Sequence, residues 1–202
     1  MFALLPTPPD LAPWVRCIWT LRTDASAHPE PPIAPDGCCE WILHVGTPPL
    51  MAVEGGWTRQ SHEFLFGQLT GPLHLHGDGA MALIAVRFHP HAATALLRVS
   101  GPGLCPQPMD PARLAPGLRR GQRIDAHAGI GDAYRAILAR LRFLAARARD
   151  PDPLVADVLQ RLDRSDGARL TPLPRELGVS LRTLERRFLA ATGLGMKTYA
   201  RI

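Results

Sequence analysis

The chain has 202 residues, 46% of them hydrophobic, which is enough for one large domain or two small ones and excludes wholesale disorder. Twenty-one prolines and eighteen glycines exclude a bundle of long helices and point to many turns. The net charge of +5 is uneven: residues 1–152 balance at +1 and residues 153–202 at +4, so the final quarter is either a polyanion-binding face or a solvated basic one.

The opening "MFALLPTPPD" meets prolines at once and has no secretory apolar stretch. The longest apolar run, "AMALIAV" (80–86), is too short for a bilayer, so no membrane partner is expected. Of the four cysteines, Cys17, Cys38, Cys39 and Cys105, none forms a CxxC pair, and the adjacent Cys38 and Cys39 have diverging side chains. A reduced, cytoplasmic setting is the expectation.

The first hundred residues read as strands. "WVRCIWTLR" (14–22) places Val15, Cys17, Trp19 and Leu21 on one side at period two. "CEWILHV" (39–45), "EFLFGQL" (63–69) and "MALIAVRF" (81–88) are short apolar runs bounded by turn residues, and "PDG" (35–37) is a turn signal. Strands this short suggest a sandwich or barrel.

Helical signals begin near Pro90. "PHAATALLRV" stops at Ser100–Gly101, and Asp110–Pro111 can cap one turn within a proline-studded connector. From Asp132, a stripe of Tyr134, Ile137, Leu138, Leu141, Leu144, Ala145 and Ala148 predicts a longer helix, packed on its own domain or against a second copy. "DPDP" (150–153) marks a boundary and supplies Asp152 as N-cap with Pro153 at the first helical position. Val155, Val158, Leu159 and Leu162 form the buried face of that next helix.

Thr171 and Pro172 can start a short helix with Leu173 and Leu177 facing inward. Gly178 reverses the chain, Val179 is expected buried in the turn, and Ser180 caps the helix that follows. There Leu181, Leu184, Phe188 and Ala191 share one face, while Arg182, Glu185, Arg186 and Leu189 share another. A short helix, a tight turn and an arginine-rich helix form helix-turn-helix grammar, in which the second helix enters the major groove. Arg matches the two acceptors of guanine, and Glu accepts from the amino group of cytosine.

The stretch "LPRELGVSLRTLERRFLAATGLGMKTYARI" (173–202) resembles the first helix-turn-helix of AraC-type (AraC/XylS) transcriptional regulators. Pro174 and Gly195-Met196 depart from it, where the family has Ala and Ser-Pro. The resemblance puts base-facing positions at Arg182, Glu185 and Arg186, and phosphate-flanking ones at Thr183, Arg187, Lys197, Tyr199 and Arg201. The residues themselves leave Arg187 open to an ion pair with Glu176 or to solvent. Such modules carry two helix-turn-helix units joined by a long helix, so the resemblance implies a reader cut within its DNA-binding module. More weakly, "PDGCCEWILHVG" (35–46), "GQLTGPLHLHG" (67–77) and "VRFHPHAATALL" (86–97) resemble the β-rich domain ahead of some such modules. In the family, that domain senses a small molecule or mediates pairing.

The expectation is therefore α+β. A β-rich N-terminal domain, a cupin-like barrel or sandwich with a helical tail (1–149), precedes an all-α helix-turn-helix segment (153–202). The function expected is a non-enzymatic, sequence-specific regulator with helix 181–191 in the groove of double-stranded DNA. A small-molecule effector and a homodimer are its further expected partners, and no cofactor or metal is expected. Two other classes compete. His74 and His76, with His89 and His91, could build the metal site of a cupin-like enzyme. Trp19 and Trp41, among the four tryptophans that include Trp14 and Trp57, could instead line an apolar ligand pocket of a binding module.

Overall fold

The run "MALIAVRF" is the central strand of the larger sheet, and its apolar stretch Met81–Val86 reflects burial on both faces. In the computed structural model, which describes residues 1–24, 31–104, 107–111, 129–164 and 173–202, nine strands form two sheets. They are β1 Phe2–Leu5, β2 Val15–Thr23, β3 Glu40–His44, β4 Leu50–Val53, β5 Gly56–Arg59, β6 Glu63–Phe66, β7 Leu75–His76, β8 Met81–Phe88 and β9 Pro108–Met109. The larger sheet runs β1-β2-β8-β3-β6-β9 and the smaller β5-β4-β7. Every pairing is antiparallel.

The expected alternation along β2 is broken. A bulge between Val15 and Cys17 leaves Arg16 without a register partner, so Val15 and Ile18 are buried while Cys17, Trp19 and Leu21 are only partly so. One inserted residue exchanges the two faces of everything after it. The short strands β1, β4, β5, β7 and β9 carry too little apolar pattern to be read in advance. β1 leaves Phe2 and Leu4 exposed, with the Phe2 ring 5.7 Å from that of Trp19.

Helix α1 (Ala93–Leu97) follows β8 and ends at Arg98, whose φ of +58° is left-handed. A single 3-10 turn, Gly101–Gly103, comes next. Helix α2 (Ile130–Ala145) begins two residues before Asp132. Its Ala133, Ile137, Leu141 and Leu144 share one core with Leu11, Ile18, Trp41, Ile84, Val86 and Phe88, so its apolar stripe is used inside the chain. The arginines off the stripe reach back to the sheet region: Arg140 bonds Glu63 and lies over the Trp41 ring, and Arg142 pairs with Asp10.

The helical tail comprises α3 (Pro153–Arg164), α4 (Leu173–Glu176), α5 (Leu181–Thr192) and α6 (Met196–Tyr199). The expected starts at Thr171–Pro172 and after Asp110–Pro111 fall on or run into residues outside those described. Among the described residues, no helix is long and apolar enough to cross a membrane.

Candidate nucleic-acid interface

The tail has its own core of Val155, Val158, Leu159, Leu162, Leu173, Leu184, Phe188, Ala191 and Met196. Leu184, Phe188 and Ala191, spaced by four and three, turn one face of α5 inward. Leu181 does not join them: at the first helical position it is 52% exposed. Val179 is half-buried. Gly178 (φ +65°) makes the reversal between α4 and α5. The Ser180 hydroxyl accepts from the Thr183 amide at 3.2 Å, satisfying one of the unpaired donors of the first turn. Gly193 (φ +82°) ends α5, its amide donating to the Leu189 carbonyl at 2.9 Å.

The outward face of α5 presents Arg182, Glu185 and Arg186, all exposed, with Leu189 at 40% exposure beside them. No hydrogen bond or ion pair between described residues engages these three polar side chains. The helix is thus fixed by a cap at one end and a core on its inner face, while its charged face is free.

The flanking residues divide. The Thr183 hydroxyl accepts from the Ser180 hydroxyl at 2.9 Å. Arg187 is paired with Asp152, at 2.6 and 2.8 Å, and Glu176 pairs with Arg161 instead. Asp152 also caps α3, accepting from the Leu154 and Val155 amides at 3.0 and 3.3 Å. Burial works to raise its carboxyl, but the Arg187 guanidinium and those two amides together hold it below the usual carboxylate value. Lys197 and Arg201 are exposed. Tyr199 turns inward: its ring meets Phe188 edge-on at 5.5 Å, and burial pushes its hydroxyl pKa upward.

The tail is seated on the β-rich domain through the far end of α5. The Thr94 hydroxyl of α1 donates to the Ala191 carbonyl at 2.9 Å. Gly101 approaches the same turn so closely that a Cβ there would lie 2.1 Å from the Leu189 oxygen. Gly37 (φ +71°) lies against Tyr199, where a Cβ would fall 2.5 Å from the ring. None of these contacts is visible in sequence, where the glycines read only as turns.

The competing sites are differently placed. Trp41 is 1% exposed, its indole N–H donating to Glu63 at 3.1 Å, and Trp19 donates to Glu40 at 3.0 Å. Trp14 donates to the Arg149 carbonyl, and Trp57 lies on the surface near His76. His74 precedes β7, whereas His89 and His91 lie with ring centroids 6.0 Å apart at the end of β8. Among the described residues, no three His, Cys, Asp or Glu side chains converge as metal ligands. Cys38 and Cys39 are buried, and burial pushes their thiols up to about 11 and about 12. Arg16, the bulged residue, donates to the Cys38 sulfur at 3.5 Å.

In class, the molecule is α+β: a β-rich sheet domain followed by a helical tail. Residues 4–107 match the family described as a domain of unknown function (DUF6597), and the chain belongs to that family. No curated protein matches it. The crystal structure of the AraC-like transcriptional activator CuxR aligns with 95% of this chain and 75% of its own, at 16% identity and a TM-score of 0.37. That likeness is too loose to carry an argument.

Proposed function

We propose that this protein is a cytoplasmic, non-catalytic transcription regulator that reads double-stranded DNA with α5. The observation that carries the reading is the free, exposed triad Arg182, Glu185 and Arg186 on a helix whose other face packs Leu184, Phe188 and Ala191 into the tail's core. A helix-turn-helix presents its recognition helix in this manner, and the AraC-type resemblance of residues 173–202 names the same three positions. In this reading Lys197 and Arg201 meet phosphates, and the β-rich domain responds to an effector or pairs with a second copy. Arg187 is a weaker phosphate contact, because Asp152 already neutralises it.

The test is selection of binding sites from random duplexes with the wild type and Arg186→Ala. Loss of discrimination at one base position, worth about 1–3 kcal/mol on the selected site, is expected. An unchanged sequence preference would remove Arg186 from the reading face.

A further inference from the structure

A cavity of about 610 Å³ opens where the smaller sheet meets the β6–β9 edge of the larger one. Met51, Gln60 and Phe66 form its buried part. Its size is that of a small-molecule pocket. Neither Trp19 nor Trp41 lines it.

Gln60 gives the cavity its chemistry. The side chain is 6% exposed, and its carbonyl lies 3.1 Å from His44 Nε2. His44 is 0% exposed, and burial lowers its pKa to about 4, so the ring is neutral at pH 7. The facing atom of Gln60 is its amide oxygen, which can only accept, so His44 Nε2 carries the ring proton and donates to Gln60 Oε1. The Gln60 amide nitrogen is left with the Met51 sulfur at 3.9 Å, a weak acceptor for a group carrying two donors. A buried donor so poorly matched is costly until an oxygen reaches it.

The rim decides the charge of that oxygen. Arg59 is paired with Asp78 and donates to the Pro48 carbonyl, so its charge is already balanced, while Glu54 adds a negative charge. A cation gains nothing from an amide donor. We propose that this cavity binds a small neutral molecule with an apolar body and one carbonyl-type oxygen, which accepts from Gln60 Nε2. This rests on the regulator reading only where the bound molecule is called its effector.

The experiment is ligand-observed NMR titration of the full chain with ε-caprolactam, cyclohexanecarboxylate and cyclohexylamine, matched in size and differing in charge. Saturable binding of the lactam in the millimolar range or tighter, with neither ion competing, is expected. Gln60→Glu replaces the donor with an acceptor and should weaken lactam binding at least roughly tenfold, the loss of one hydrogen bond. Val53→Trp, at an exposed rim position, should block entry even if the first variant fails to fold. Absence of saturable binding, equal binding of all three probes, or binding unchanged in both variants would overturn the site. Lactam binding by a chain that does not bind DNA supports the site and removes the regulator. DNA binding without lactam binding overturns the site alone.

Discussion

Gly101 and Gly193 meet backbone to backbone. A Cβ on Gly101 would lie 2.7 Å from the Gly193 nitrogen, and one on Gly193 would lie 2.5 Å from the Gly101 oxygen. One residue belongs to the turn after α1, the other to the end of α5, so two glycines set how closely the tail approaches the β-rich domain. With the bond from Thr94 to Ala191, they tie the last turn of the charged helix to the domain that would sense a signal.

Gly101→Ala should therefore force this seam apart. The obstructing atoms are all backbone, which cannot rotate away, and overpacking of this kind costs about 1–3 kcal/mol. Hydrogen exchange should show faster opening in residues 181–192, with the strands of the larger sheet unaffected. Ordinary protection of α5 in this variant would mean that the seam does not exist in solution.

Asp152 carries two duties that separate by substitution. Asp152→Ala loses the α3 cap and should cost about 1–2 kcal/mol in urea unfolding. Asp152→Asn keeps the cap and loses only the partly exposed ion pair, so it should stay within about 1 kcal/mol of wild type. It also frees Arg187. If α5 binds DNA, the Asn variant should show a salt dependence steeper by about one phosphate contact. Equal destabilisation by both variants would deny the capping role.

How far the sequence could be read follows from how local each cause is. Ser180 and Asp152 announce their helices because a cap acts on amides two or three residues away. β8 was legible to both of its ends because its neighbours on either side make every position but Arg87 apolar. Arg187 was not: its partner lies 35 residues back, and nothing in the heptad around it distinguishes Asp152 from Glu176. The exposed triad on α5 was legible as a face, since the opposite face is apolar at helical spacing. Gln60 was not, because its importance lies in what β4 and His44 bring beside it. The bulge at Arg16 likewise depends on β8, not on the residues of β2.

Acid should weaken the fold well before the carboxylates titrate. His44 is held neutral chiefly by burial, with nearby His62 pushing the same way and the Gln60 bond opposing. Its folded pKa of about 4 lies below the ordinary 6.5, so between these values the unfolded chain binds a proton that the folded chain refuses. Stability from this group is present above pH 6.5 and is lost as the pH falls toward 4, by on the order of 3 kcal/mol at most. His91 is lowered to about 4 by burial and the charge of His89, against the pull of Asp152, and adds to the same slope. Urea midpoints at pH 7.0, 5.5 and 4.5 would check this, with His44→Phe as comparison. The Phe variant should show a visibly shallower loss, because of the three histidines that burial lowers only His89 and His91 then contribute. An identical slope in both proteins would mean that His44 titrates normally.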